Sequence, residues 1–108
     1  MGFFSFMKSN DINAGVQRFR ETADAVLLDV RSRQEYAAGH IPGSRNLPLD
    51  QLEAAADEIP DLHTPIFVHC LSGGRSARAL AILREMGYHE VSNIGGVNSY
   101  RGKLEAGI

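Results

Sequence analysis

The stretch Pro65-Ile66-Phe67-Val68-His69-Cys70-Leu71-Ser72-Gly73-Gly74-Arg75-Ser76 decides the fold class. Pro65 to Cys70 is a short, nearly continuous apolar run, the pattern of a strand covered on both faces in a parallel sheet. From Ser76 to Met86 the period changes. Ala79, Ile82, Leu83 and Met86 recur at i, i+3, i+4 and i+7, and Gly87 offers a left-handed stop, so this segment reads as a helix. The loop between them is a strand-to-helix turn at the carboxyl end of a buried strand.

Outward from this stretch, Ala25-Val26-Leu27-Leu28-Asp29-Val30 is a second buried-strand run. Upstream, Ile12, Val16 and Phe19 stand at helical spacing behind Asn10 or Asp11 as a cap and predict a first helix ending near Thr22. Between the two runs, Ser32 to Ala38 reads as a short helical turn, Gly39-His40-Ile41-Pro42-Gly43 as a loop and Asn46-Leu47 as a short strand. Asp50 and Glu53 have the spacing of a capping box, with Leu52, Ala55, Ala56 and Ile59 as one apolar face before Pro60. Downstream, Val91 to Ile94 reads as a strand broken by Gly95-Gly96, and Val97 to Leu104 as a terminal helix interrupted by Gly102. Strands alternating with helices predict an α/β fold of three α/β/α layers around a mainly parallel central sheet of four to five strands. Ligands of such sheets gather beyond the carboxyl ends of the strands.

The chain has 108 residues, 44% of them hydrophobic and 22% charged, with no repeat or low-complexity tract. This predicts a single domain over 1–108, with 1–9 as a short edge strand or a flexible arm. Phe3, Phe4, Phe6 and Met7 form an apolar patch for the core, a partner or a second copy of the chain. Eleven Lys and Arg against thirteen Asp and Glu leave a net charge of -2. The basic residues are scattered, which argues against nucleic acid as a partner. No apolar run approaches the roughly 20 residues of a membrane span. Met1 to Met7 lacks the basic start of a secretion signal, and Phe6 stands where a myristoylation pattern wants Ser or Thr. A cytoplasmic protein without a membrane partner is expected. His40, His63, His69 and His89 are spread without ligand spacing, so neither a metal nor another cofactor is expected.

Cys70 is the lone cysteine, which excludes an intrachain disulfide. Its place before a helix amino terminus faces it with unpaired N–H groups and a partial positive charge, which favour thiolate over thiol. Such surroundings lower a cysteine pKa from about 8.5 to roughly 3.5–7.5. Gly73 and Gly74 allow the backbone to curl with its N–H groups inward as an anion nest, and Arg75 adds a planar cation suited to an oxyanion. The plain alternative is a buried cysteine beside an ordinary glycine turn.

These residues resemble the rhodanese-like sulfurtransferases from Leu27 to Tyr100. The loop is similar to that family's active-site loop at Cys70, Gly73, Arg75 and Ser76. Leu28-Asp29-Val30-Arg31, Glu35-Tyr36 and Gly39-His40-Ile41-Pro42-Gly43 look like its upstream signature, and Gly95-Gly96-Val97 like its closing stretch. The resemblance implies that Cys70 takes the outer sulfur of a donor such as thiosulfate. A thiol or cyanide acceptor, or an acceptor protein, then removes it from the persulfide by covalent, ping-pong catalysis. It also implies an anion-binding loop of Leu71, Ser72, Gly73, Gly74, Arg75 and Ser76, with Arg75 holding the donor's anionic group. Tyr100 departs from the Trp that many members carry there, which bears on the packing of the last helix.

Rival readings are a non-catalytic binding or sulfur-carrier module and, on the same fold, a cell-division-cycle-type phosphatase or an arsenate reductase. The phosphatase loop has about five residues between Cys and Arg, by that family comparison; this chain has four between Cys70 and Arg75. A shorter ring of amides suits one sulfur atom better than a tetrahedral phosphoryl group. Asp29 and Arg31 are supporting candidates. Asp29 ends a strand beside the loop and more often bonds backbone N–H groups than reacts, and Arg31 suits an ion pair with Glu35 or Asp29, a surface pair of at most about 1 kcal/mol. His69 precedes Cys70 but points to the opposite face, Ser76 reads as a cap of the following helix, and Asp57, Glu58 and Asp61 as a solvated face. A monomer or weak homodimer is expected.

Overall fold

A computed structural model describes residues 11–108, so the expectations for the first ten residues lie outside it. Four parallel strands form one sheet in the order β2-β1-β3-β4: β1 Val26–Asp29, β2 Ser44–Asn46, β3 Ile66–Cys70 and β4 Val91–Gly96. Every residue of β1 and β3, the two central strands, is buried, as their continuous apolar runs require. Helices α1 Ile12–Arg20, α2 Arg33–Ala38, α3 Ala55–Glu58 and α4 Gly74–Glu85 connect and cover them.

Alternation along the strands divides the core in two. Val26, Leu28, Ile66, Val68 and Cys70 face Leu52, Ala55, Ile59, Ala79 and Leu83 from α4 and the segment before β3. Leu27, Phe67 and Ile94 face Ile12 and Val16 of α1. Helix α1 approaches β4 so closely at Gly15 that a Cβ there would collide with the Ile94 side chain. Asp11 caps α1, accepting from the Asn13 N–H at 3.0 Å.

Several local expectations are corrected. Asp50 and Glu53 form no capping box: a 3-10 segment, Leu49–Ala54, follows Pro48 without a side-chain cap, is kinked at Gln51 and runs into the one-turn α3. The capping box belongs to Ser32 and Glu35 at the start of α2. Ala56 and Ile82 are exposed rather than part of the apolar faces. Strand β4 continues through Gly95 and Gly96 instead of ending before them. Its register slips by one residue between Val68 and His69, a bulge that Gly95 accommodates at φ 105. The terminal helix is absent: after a 3-10 turn at Val97–Ser99 the backbone is extended at Tyr100, whose ring lies over Gly102 where any Cβ would strike it.

Candidate active site

Strand β3 delivers Cys70 at its last position, on the face toward α4, while His69 points to the other side. Gly73 then takes a left-handed φ of 109, a conformation glycine adopts without steric cost, and turns the chain into α4. The turn aims amides at the sulfur. The Gly73 N–H donates to Cys70 Sγ at 3.0 Å and the Ser76 N–H at 3.4 Å, with Ser76 Oγ also 3.4 Å away. Ser76 lies within α4 instead of capping it, and its hydroxyl also reaches Asn93 Oδ1 at 2.7 Å and Gly73 O at 3.1 Å.

The glycine pair of β4 holds this loop from behind. A Cβ on Gly96 would run into the Leu71 carbonyl and the Ser72 backbone, and the Asn98 N–H donates to Leu71 O at 3.1 Å. Asn93 Oδ1 accepts the Gly95 N–H at 3.0 Å as well as the Ser76 hydroxyl, tying the bulge to the cysteine loop. Asn93 was not singled out in the sequence, and an isolated asparagine in a strand carries no signal that it is a support.

Burial pushes the Cys70 thiol up. The Ser76 hydroxyl and the amides of Ser76, Gly73 and Ser72 pull it down by more, so it sits below its ordinary value. Cys70 is only 1% exposed, with hydrocarbon on the sheet side and amides on the loop side.

Arg75 turns to Glu35. Its two terminal nitrogens donate to the two carboxylate oxygens at 2.6 and 2.9 Å, joining the first turn of α4 to α2. Arg75 holds the Glu35 carboxyl at about 2, against some opposition from burial, with help from Ser32. A donor anion gripped by the same fork would have to open this pair. Of the two partners the sequence offered for Arg31, Glu35 and Asp29, it pairs with Asp29, through Nε at 3.0 Å and Nη2 at 2.8 Å. That pair is buried, not on the surface: Asp29 is 0% and Arg31 5% exposed. Arg31 also donates to Gly39 O at 2.8 Å, which fastens the loop after α2 to the end of β1. Burial raises the Asp29 carboxyl, but His69 and Arg31 beside it outweigh that and hold it at about 2. His69 Nε2 stands 3.4 Å from Asp29 Oδ2 without hydrogen-bond geometry, and the ring is fully buried.

A sequence profile described as Rhodanese-like domain matches residues 14–103. The chain belongs to the rhodanese-like domain family. This rhodanese-like domain is 39% identical over 71 residues to the thiosulfate sulfurtransferase PspE of Escherichia coli, covering 65% of this chain and 68% of that protein. It is 41% identical over 83 residues to the uncharacterized protein YqhL of Bacillus subtilis, covering 76% of this chain and 65% of that relative, just under two thirds of its length. A solved structure described as rhodanese with anions from E. coli superposes with a TM-score of 0.71 at 34% identity, over 77% of this chain and 99% of that one. The relatives' names support sulfurtransferase activity for the family in general.

Proposed function

We propose that this rhodanese-like domain is a sulfurtransferase working through a Cys70 persulfide. One observation carries the reading: the Cys70 sulfur receives the N–H groups of Gly73 and Ser76 in a loop of four residues before Arg75. In the first half-reaction the Cys70 thiolate attacks the outer sulfur of a donor such as thiosulfate. A bond forms between the two sulfurs, the donor's own S–S bond breaks, and sulfite leaves with the bonding pair, so the new terminal sulfur keeps the negative charge. The inward amides then face that charge, an electrostatic stabilisation that needs no reorganisation. No separate general base is required where the thiol is already ionised. The pair with Glu35 makes Arg75 a clamp that positions the loop, and its charge adds to the field at the sulfur.

The domain's one cysteine leaves the outer sulfur to be removed by another molecule, a thiol or cyanide. Intact mass after incubation with thiosulfate tests the reading. Addition of one sulfur atom that disappears in Cys70→Ser supports transfer. A folded protein that takes up no sulfur refutes it and leaves a binding module. Phosphate ester hydrolysis dependent on Cys70 would favour the phosphatase reading instead.

A further inference from the structure

We propose that Asn93 is a positioning residue that holds the Ser76 hydroxyl proton away from the Cys70 sulfur whenever that sulfur is uncharged, and so favours sulfur staying on Cys70; the second part rests on the sulfur-transfer reading. Ser76 is fully buried, and its Oγ has Asn93 Oδ1 at 2.7 Å, Gly73 O at 3.1 Å and Cys70 Sγ at 3.4 Å. A hydroxyl has a single proton, so these atoms compete for it. The Gly73 carbonyl already accepts the Ala77 N–H at 3.1 Å, which leaves the sulfur and Asn93 as the rivals.

The Asn93 amide is locked as an acceptor. The Gly95 N–H can only donate, so the Asn93 atom 3.0 Å from it is the oxygen, and the amide nitrogen then faces the Gly73 carbonyl at 3.4 Å. The locking N–H comes from the bulge of β4. Since Oδ1 carries no hydrogen, the 2.7 Å contact is a donation from Ser76.

Charge at Cys70 decides the contest. A neutral thiol gives its S–H to Ser76 Oγ, whose own proton goes on to Asn93, a relay that stabilises the thiol. A thiolate takes the hydroxyl for itself. In the persulfide, Cys70 Sγ is a two-bonded, uncharged sulfur with the negative charge on the outer atom, so the hydroxyl returns to Asn93. When cyanide removes the outer sulfur, its carbon bonds to that atom and the S–S bond breaks. The electron pair of the S–S bond leaves on Sγ as thiolate, thiocyanate carries away the other negative charge, and the hydroxyl swings back. Asn93 therefore stabilises both states with an uncharged Sγ and opposes the one in which Sγ is the leaving group.

Asn93→Ala tests this by freeing the hydroxyl for the sulfur. The midpoint of Cys70 alkylation by iodoacetamide should fall by about 0.5 unit, about threefold in the ratio of thiolate to thiol. Cyanide should unload thiosulfate-loaded protein about threefold faster, because a more stable thiolate leaves more readily. Both changes should vanish when the substitution is made in Ser76→Ala. The charged groups near the loop, Arg75 with Glu35 and, on the other face of the sheet, Asp29 with Arg31 and His69, are common to native and variant proteins and cancel in the comparison. An Asn93 that only braced the loop would give the opposite sign, since loosened amides raise the midpoint with or without the hydroxyl. A raised or unchanged midpoint overturns the proposal, and a lowered midpoint with unchanged unloading overturns the retention of sulfur. If Cys70 takes up no sulfur, the sulfur-transfer reading falls, while a lowered midpoint that depends on Ser76 still supports the contest for the proton.

The native protein supplies a second measurement that does not depend on the folding of Asn93→Ala. The carbon-13 resonance of the Asn93 side-chain carbonyl should move with the alkylation midpoint, because that carbonyl loses its hydroxyl donor as Cys70 ionises. In Ser76→Ala it should stay still. A resonance indifferent to Cys70 ionisation, or one that moves equally in Ser76→Ala, overturns the proposal.

Discussion

Replacing Ser76 with alanine removes the hydroxyl that does most to hold the Cys70 thiol below its ordinary value. That hydroxyl lies 3.4 Å from Sγ, 2.7 Å from Asn93 Oδ1 and 3.1 Å from Gly73 O. It has one proton to give. With a neutral thiol the Ser76 hydroxyl donates to Asn93 Oδ1, its nearest acceptor, and a thiolate draws that donation toward sulfur. A hydrogen bond to a charged group contributes about 1.5–3 kcal/mol, and the long contact with a competing acceptor places this one at or below the lower end. At about 1.4 kcal/mol per pH unit, the thiol midpoint in Ser76→Ala should rise by about one unit. The amides of Gly73 and Ser76 remain, so the thiol keeps part of its activation. Folding should suffer little, because Asn93 Oδ1 retains the Gly95 N–H and Gly73 O retains the Ala77 N–H. The assay is the pH dependence of Cys70 alkylation by iodoacetamide, with urea unfolding as the measure of stability. A midpoint within about 0.3 units of the native protein, in a variant of native stability, would refute the assignment of this hydroxyl to the sulfur.

Gly96→Ala should displace the cysteine loop, since its Cβ meets the Leu71 carbonyl and the Ser72 backbone; a loss of about 1–3 kcal/mol in urea unfolding, together with slower sulfur loading, is expected. Glu35→Gln frees the Arg75 charge near the sulfur, so the alkylation midpoint should fall by less than about one unit; a rise would show that the pair acts through loop position alone. Asp29 and Glu35 are both held at about 2, below their ordinary 3.8 and 4.5, so the stability they contribute is fully present above about pH 4.5 and drains away as the pH falls through about 2. Asp29 should supply roughly 2 kcal/mol of that loss, and the partly exposed Glu35 about 1 or less after screening by water. Asp29→Asn should flatten the acid limb and cost about 3–5 kcal/mol at neutral pH by stranding the buried Arg31, as read from urea midpoints across the pH range.

Much of the site was legible because its signals are local. A buried-strand run ending at Cys70, two glycines and a helical period after them define a strand-turn-helix unit without knowledge of the rest of the chain. Misreadings came where neighbours overrode local pattern. Gly95-Gly96 looks like a strand end, yet β3 pairs with both residues, and the lack of side chains is what lets the loop lie against them. Asp50 and Glu53 have capping-box spacing, but Pro48 starts the segment earlier, and the same spacing at Ser32 and Glu35 makes the actual box. Val97 to Leu104 has helical spacing but gives way to an extended Tyr100 whose ring covers Gly102.

The amino-acid sequence by itself determined the α/β class, the two central strands and the position of the thiol at a helix start, because these depend on runs and periods of neighbouring residues. Only the tertiary structure decided which charges meet. Arg75 finds Glu35 forty positions away, and Asn93 comes from β4 to support Ser76. Partners so distant along the chain are chosen by the packing of α2 and β4 around the sheet, and no local pattern encodes that packing.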